Sequence, residues 1–279
     1  MIKLVTPVSC PPLADKLRLD DDITLLGSCF VDNIATRLQD AGFKAHSNPF
    51  GTLYNPASIA GAVQLLDSEQ MFTEMDCVQM GAGADKICSF RHHTSFARPT
   101  AEEFLANANE ALLQAREDWH KSRWVIITLG TAFVWTHGGE VVSNCLKRPG
   151  SEFEHFMLGI EDVKRYLADI TYKHPEKQFI FTVSPIRHLS DGAHSNTLSK
   201  STLHLALSQA GVNYFPAYEI LLDELRDYRF YADDLTHPSA TAVSVIWERF
   251  LDYAADETER GQIEQNEKAS KATKHVRRT

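Results

Sequence analysis

The apolar residues of this chain form two recurring patterns, one typical of buried strands and one typical of amphipathic helices. Mainly apolar runs predict strands that are buried on both faces, at residues 23–26, 124–130 and 178–184. Apolar residues spaced three or four apart, together with helix start signals, predict helices at residues 31–42, 56–66, 100–119, 160–173, 195–210 and 240–255. Because strands and helices alternate, we predict an α/β protein whose parallel sheet is covered by helices on both faces.

Two stretches of the chain depart from this alternation. Residues 68–99 hold no long apolar run, and we expect an insertion with a short pair of strands there. Residues 256–279 are polar and charged with almost no apolar side chain, which predicts a disordered tail or a frayed helix. Residues 1–255 are therefore expected to form a single domain, and a core of this size needs no disulfide or metal for stability.

The first stretch with candidate chemistry is Gly27-Ser28-Cys29-Phe30, where the first predicted strand turns into a helix. A helix N-terminus offers unpaired backbone N–H groups and partial positive charge. A hydroxyl or thiol placed there is activated, and the same amides can hold an oxyanion. The alternative is an ordinary turn that uses Gly27 only for its backbone freedom.

The second stretch is Asp234-Leu235-Thr236-His237, which lies just before a helix that Ser239 can cap. With this spacing in a turn, the Asp234 carboxylate can bond one nitrogen of the His237 imidazole. The other nitrogen then remains available as a general base. The alternative for the motif alone is an exposed histidine at a helix start, but its combination with a nucleophile turn predicts a catalytic centre.

Four motifs of the chain resemble those of the GSCFA family, within the SGNH (GDSL-type) hydrolase superfamily. The motifs are Gly27-Ser28-Cys29-Phe30, Asn48-Pro49-Phe50-Gly51-Thr52-Leu53-Tyr54-Asn55-Pro56, Ser184-Pro185-Ile186-Arg187-His188 and Asp234-Leu235-Thr236-His237-Pro238. Together they span roughly residues 23–250. The resemblance implies a three-layer α/β/α fold with a mostly parallel, flavodoxin-like sheet. It also implies a catalytic dyad or triad that ends in Asp234 and His237.

The resemblance leaves two candidates for the nucleophile. In the superfamily the first strand ends in Gly-Asp-Ser, and a gapless register places Cys29 on the nucleophilic serine and Ser28 on the aspartate. Ser28 becomes the nucleophile only if the turn shifts by one residue. The helix N-terminus and His237 are both expected to lower the pKa of Cys29, which would make it largely thiolate near neutral pH.

The resemblance also implies an oxyanion hole. Its donors in the superfamily are the amide of the nucleophile, a glycine after the second strand and the asparagine side chain of a Gly-x-Asn motif. Gly51 matches the glycine, but Thr131 stands after Gly130 where an asparagine is expected nearby. Thr131 is a weaker donor, and Asn48 and Asn55 are alternatives. Loss of one such donor costs about two to three orders of magnitude in rate.

Four residues are predicted to contact substrate. Arg187 and His188 follow a buried strand, so they project from the sheet edge where ligands bind in α/β folds. An arginine there suits an anionic or sugar-ring substrate, although a salt bridge that stabilises the loop is the alternative. Asn48 and Asn55 come from the loop that returns to the same edge.

Composition narrows the possible functions. The net charge of −9 argues against a nucleic-acid binder, and no apolar run approaches the length of a membrane span. We predict no metal and no cofactor, because the adjacent His92 and His93 would point to opposite faces of a strand. Five cysteines without framework spacing, and a start without a signal-peptide pattern, favour free thiols and the cytoplasm.

These observations support one hypothesis and two alternatives. The chain is expected to hydrolyse a small acyl ester, such as an O-acetyl group on a carbohydrate or related metabolite. Its partner would then be a small-molecule or glycan ester. The first alternative is an acyltransferase that uses the same site. The second is a non-catalytic carbohydrate-binding module that keeps the fold.

Overall fold

A parallel sheet forms the middle layer of the fold, in a computed structural model that describes residues 5–276. In chain order the strands are β1 (Asp22–Gly27), β2 (Lys44–Ser47), β3 (Val78–Gln79), β4 (Ile87–Cys88), β5 (Trp124–Leu129), β6 (Phe133–His137), β7 (Glu140–Val142), β8 (Glu154–Met157) and β9 (Gln178–Val183). The helices are α1 (Phe30–Ala41), α2 (Pro56–Asp67), α3 (Ala101–Lys121), α4 (Ile160–Tyr172), α5 (Ala193–Ala210), the single turn α6 (Ala217–Glu219), α7 (Ala240–Ala254) and α8 (Arg260–Val276).

The central sheet has the strand order β2-β1-β5-β9, and every neighbouring pair is parallel. Beyond β9, an isolated parallel bridge joins Tyr214 to Phe181 at the edge of the same sheet. The three-layer, flavodoxin-like fold class predicted from the sequence is therefore confirmed. In this order the carboxyl ends of β1, β5 and β9 lie side by side at one edge, hereafter the carboxyl edge.

The strand β5 shows why helices cover both faces of the sheet. Its side chains alternate, so that Val125 and Ile127 enter one core and Trp124 and Ile126 enter the other. All four are at most 3% exposed. The first core is built with α2, α3, α4 and α5, and the second with α1, α7 and α8.

Residues 133–157 form a small antiparallel sheet that the sequence analysis did not predict. Its order is β7-β6-β8, and its strands are only three to five residues long. Such strands have no long apolar run, because one face of the sheet is partly exposed. Within residues 68–99, the two short strands β3 and β4 pair in antiparallel fashion.

The end of the chain differs from the predicted disordered tail or frayed helix. Residues Arg260–Val276 form α8, which packs against α1. Ile263 is 1% exposed and belongs to the same core as α1, and Asn266 donates a hydrogen bond to the carbonyl oxygen of Ala41 at 2.9 Å. The sequence hid this docking because one apolar side chain and polar contacts replace an apolar stripe. Residues 277–279 of the predicted tail lie outside the described residues.

Deletion of residues 256–279 should therefore destabilise the protein. The deletion removes the buried Ile263 and leaves the indole of Trp247 without its acceptor Glu267, now 2.7 Å away. Burial of one such side chain and one hydrogen bond contribute about 2–4 kcal/mol. We expect the melting temperature to fall by roughly 5–15 °C in circular dichroism. Lys271→Ala, at an exposed position of α8, is the control and should melt like wild type. An unchanged melting temperature of the truncated chain would show that α8 does not dock in solution.

No helix within residues 5–276 combines the length and the apolar character that crossing a bilayer requires.

Candidate active site

Cys29 and His237 meet at the carboxyl edge of the sheet. The Sγ of Cys29 lies 3.5 Å from the Nε2 of His237. Cys29 is half-buried at the N-cap of α1, directly beyond the end of β1. His237 keeps 46% of its side chain exposed. A thiol and an imidazole in this contact can exchange a proton while the sulfur stays accessible to a substrate.

The turn that presents Cys29 depends on Gly27. Its φ is +139°, and a Cβ there would overlap the carbonyl oxygen of Thr128 in β5. The amide of Gly27 donates to the Oδ1 of Asn48 at 2.9 Å, and the Nδ2 of Asn48 donates to Asp32 of α1 at 3.0 Å. Asn48 thus fastens the nucleophile turn, and its side chain has internal partners rather than facing a substrate.

Ser28 occupies a different environment from its neighbour. It is fully buried, and its hydroxyl donates to the Oγ of Ser184 at 2.9 Å. This bond joins the end of β1 to the end of β9. The geometry favours Cys29 over Ser28 as the nucleophile, in line with the gapless register.

Asp234 contacts the imidazole of His237 and the backbone of the same turn. Its Oδ2 lies 2.6 Å from the Nδ1 of His237, and its Oδ1 accepts the amides of Thr236 and His237, both at 2.9 Å. The two amides, followed by the imidazole, hold the pKa of the Asp234 carboxyl well below its usual range. Asp234 is therefore ionised near neutral pH. With its proton on Nδ1, His237 presents a lone pair on Nε2 to Cys29.

The protonation state of Cys29 differs from the expectation. Burial raises the pKa of the thiol, and the charges of Asp32 and Asp234 raise it further, while the amides of Cys29 and Phe30 act in the opposite direction. The expectation of a lowered pKa rested on the helix N-terminus and His237, and the burial of Cys29 is not visible in the sequence. Cys29 therefore rests as a thiol and depends on a base for activation.

Alkylation of Cys29 by iodoacetamide should consequently accelerate with pH. Thiolate is the reactive form, so the rate should climb from about pH 6 to about pH 10 without levelling off near neutrality. The rate can be followed by peptide mass spectrometry. Cys10, whose pKa burial raises to about 11, is an internal reference that should react at still higher pH. A Cys29 that reaches its full rate below about pH 7 would contradict the raised pKa.

Two predicted oxyanion donors have internal partners instead. The amide of Gly51 donates to the carbonyl oxygen of Asn48 at 2.7 Å. The hydroxyl of Thr131 lies 2.9 Å from the Oγ of Ser199 and accepts the amide of Phe133 at 3.1 Å. The sequence register could not reveal the contact of Thr131 with Ser199, because Ser199 lies 68 residues further along the chain. The amides at the start of α1 are the donors that face the Cys29 sulfur.

Asn55 also has a structural position. It is the N-cap of α2, and its Oδ1 accepts the amide of Ser58 at 2.8 Å, as the Asn55-Pro56 pattern predicts for a helix start. Asn55 is 6% exposed. The structure therefore does not bring Asn55 to a surface where it could contact a substrate.

Arg187 and His188 do lie beside the turn that contains Asp234 and His237, hereafter the catalytic turn. The amide of Arg187 donates to the carbonyl oxygen of Thr236 at 3.2 Å, one residue before His237. The His188 imidazole packs edge-on against the Tyr54 ring, with 5.4 Å between centroids. Burial, assisted by the charges of Lys200 and His237, lowers the pKa of His188 to about 4. His188 is thus a neutral wall of the site at physiological pH.

The sequence analysis missed the inward face of α5. The polar residues Asn196, Ser199 and Lys200 occupy positions that continue as Leu203 and Leu207 on the same buried face. The Nζ of Lys200 donates to the carbonyl oxygens of Gly130 (2.6 Å) and Ser184 (2.8 Å). Burial lowers the pKa of Lys200 to about 7. The sequence did contain a signal for this polar site, because polar residues stand at positions of α5 where the helical pattern calls for apolar ones.

Tyr54 is a second residue that the sequence analysis passed over. Burial raises the pKa of its phenol, and the nearby Asp32 carboxylate raises it further. The phenol therefore stays protonated close to the nucleophile, where it can donate a hydrogen bond. The position of Tyr54 within the Asn48–Pro56 motif was the feature of the sequence that could have indicated a place near the site.

Residues 5–276 contain no group of three or more His, Cys, Asp or Glu side chains that could hold a metal ion.

Comparison with known proteins gives a family match and distant structural likenesses. The model of the GSCFA family matches residues 22–250, which include all the site residues named above. No curated protein matches the sequence. The psychrotrophic esterase EstA from Pseudoalteromonas sp., in a structure inhibited by monoethylphosphonate, is 11% identical with a TM-score of 0.39. The likeness covers 84% of this chain and 96% of that chain.

Proposed function

We propose that this chain, which belongs to the GSCFA family, hydrolyses a small acyl ester through Cys29, His237 and Asp234. The observation that supports the proposal is a pair of contacts, one between the sulfur of Cys29 and the imidazole of His237 and one between that imidazole and the carboxylate of Asp234. Sγ to Nε2 measures 3.5 Å, and Nδ1 to Oδ2 measures 2.6 Å. A nucleophile, a base and a group that orients the base are the components of acyl transfer.

The first half of the reaction forms a thioester. His237 accepts the thiol proton on Nε2 as the sulfur of Cys29 attacks the acyl carbon. Amides at the start of α1 donate to the oxyanion of the tetrahedral intermediate. When the intermediate collapses, the carbon–oxygen bond of the ester breaks and the alcohol leaves with the proton from Nε2. Asp234 stabilises the imidazolium in between.

The second half releases the acyl group. Water loses a proton to Nε2 of His237 and attacks the thioester carbon. Collapse breaks the carbon–sulfur bond, and the sulfur of Cys29 regains the proton from His237. The acid product then leaves. We propose an O-acetyl group on a carbohydrate or related metabolite as the substrate, a choice supported by the resemblance to SGNH hydrolases.

The proposal is tested with 4-nitrophenyl acetate as the probe. We expect steady release of 4-nitrophenol, and an added acetyl group on the peptide that contains Cys29 after rapid acid quenching. Cys145→Ala, which removes another half-buried thiol, is the control and should retain both signals. Acetylation at Ser28 would overturn the assignment of Cys29 as the nucleophile. A chain that shows neither turnover nor acetylation favours the non-catalytic carbohydrate-binding module.

An acyltransferase is the second candidate, because the accessible nucleophile is a thiol. A thioester passes its acyl group to alcohols more readily than an oxygen ester does. With an acetyl thioester donor and a sugar acceptor, an acetylated sugar that forms faster than acetate identifies a transferase. Acetate that forms at the same rate with and without the sugar identifies a hydrolase.

A further inference from the structure

Arg187 lacks the partners that other arginines of similar burial possess. Seven arginines within residues 5–276 are half-buried. Six of them donate from the guanidinium to side-chain or carbonyl oxygens: Arg37, Arg98, Arg116, Arg148, Arg249 and Arg260. The guanidinium of Arg187 has no hydrogen bond and no ion pair within the described residues, and its Nε is shielded from solvent without a partner. A half-buried charge is costly unless something pairs with it.

The position of Arg187 places this unpaired charge next to the catalytic turn. Its amide is bonded to Thr236, the neighbour of His237. The phenols of Tyr218 and Tyr231 lie near its guanidinium. Burial raises the pKa of both, and the positive charge of Arg187 partly opposes that rise. Both phenols therefore remain protonated and can donate hydrogen bonds beside the guanidinium.

The carboxylate of Asp234, which belongs to this turn, is not available as an internal partner. Asp234 accepts the amides of Thr236 and His237 and bonds the imidazole. These three bonds fix its oxygens toward His237. An external anion is therefore the partner that the unpaired guanidinium fits.

We propose that Arg187 binds an oxyanionic group of the substrate, a carboxylate or a phosphate, while the ester of the same molecule lies at Cys29. The inference rests on the proposed function. A guanidinium offers two parallel N–H groups that match either anion. Tyr218 and Tyr231 supply further donors on its flanks. The enzyme thus selects acidic esters over neutral ones, in spite of its own net charge of −9.

Three acetyl esters of similar size test the inference: 3-acetoxybenzoate, 3-acetoxyphenyl phosphate and the neutral 3-acetoxybenzamide. The wild type should hydrolyse at least one anionic ester with a kcat/KM about tenfold or more above the neutral ester. Arg187→Met should reduce that ratio by about 10- to 100-fold, chiefly through KM. Arg187→Lys should recover part of it. The comparison of 3-acetoxybenzoate with 3-acetoxyphenyl phosphate shows whether Arg187 prefers a carboxylate or a phosphate.

Arg123→Met is the matched control, because Arg123 precedes β5 at the opposite edge of the sheet. It should leave the ratio of anionic to neutral turnover unchanged. A wild type without preference for either anionic ester would overturn the inference. An Arg187→Met enzyme that loses activity equally on all three esters would overturn it as well. If Arg187→Met does not fold, the inference is tested by the ratio of anionic to neutral kcat/KM in the wild type and in Arg187→Lys.

Binding measurements distinguish a failure of the inference from a failure of the proposed function. Benzoate, phenyl phosphate and benzamide are titrated by calorimetry into the wild type and Arg187→Met. Binding of an anion to the wild type that weakens about tenfold or more in Arg187→Met supports the anion site even if no ester is hydrolysed. Ester hydrolysis without anion binding would support the proposed function and overturn the inference.

Discussion

Cys29→Ala is expected to lower kcat/KM for 4-nitrophenyl acetate by about four to six orders of magnitude, because loss of a nucleophile removes the covalent route. Its Sγ is the atom in contact with the Nε2 of His237. Cys29→Ser should retain a trace of activity, since a hydroxyl can attack when His237 acts as the base. The measurement is steady-state turnover with protein whose folding is verified by circular dichroism.

Ser28→Ala is the matched control, one residue away on the same turn. The Ser28 hydroxyl is buried and donates to Ser184, so its loss should cost about 1 kcal/mol of unfolding free energy. We expect kcat/KM to change by no more than a few-fold. The reverse pattern, an active Cys29→Ala and an inactive Ser28→Ala, would make Ser28 the nucleophile and Cys29 a packing residue.

The central sheet was predictable because its signal is local. The run at residues 124–129 is apolar on both faces, and only a strand covered by two helix layers accounts for it. The sheet β7-β6-β8 lacks such a run, and Trp135 on it is 38% exposed. Short strands with one partly exposed face are specified mainly by their pairing, which the sequence does not display.

The contact between Asp234 and His237 was predictable for the same reason, and the bonds of Thr131 were not. Asp234 and His237 interact within one turn, so their spacing carries the geometry. The partner of Thr131 is Ser199 of α5, far along the chain. Motif spacing says nothing about such distant partners.

The protonation of Cys29 is the clearest example of a property that the sequence does not contain. A helix N-terminus is visible in a sequence and lowers the pKa of a thiol. Burial is not visible, and in this fold it outweighs the amides of Cys29 and Phe30. The same holds for Lys200, whose burial lowers its pKa to about 7. Electrostatic expectations drawn from motifs alone therefore tend to overstate activation.

Because Cys29 rests as a thiol, removal of its base should have a large effect. His237→Ala is expected to lower kcat/KM by about two to four orders of magnitude. The residual activity should rise with pH, since solution hydroxide then has to remove the thiol proton. Turnover of 4-nitrophenyl acetate from about pH 6 to about pH 10 measures both effects. The melting temperature should stay close to that of wild type, because the His237 side chain is 46% exposed.

Asp234→Asn tests the orienting carboxylate, and Asp233→Asn is its neighbour and control. Asp234→Asn removes the acceptor that fixes the proton on Nδ1, so the lone pair is no longer held toward Cys29, and we expect a loss of about two to four orders of magnitude. Asp233 is exposed, and its substitution should leave turnover within about twofold of wild type. If His237→Ala keeps more than about a tenth of the wild-type rate, His237 is not the general base. If the two aspartate variants lose activity equally, Asp234 does not orient that base.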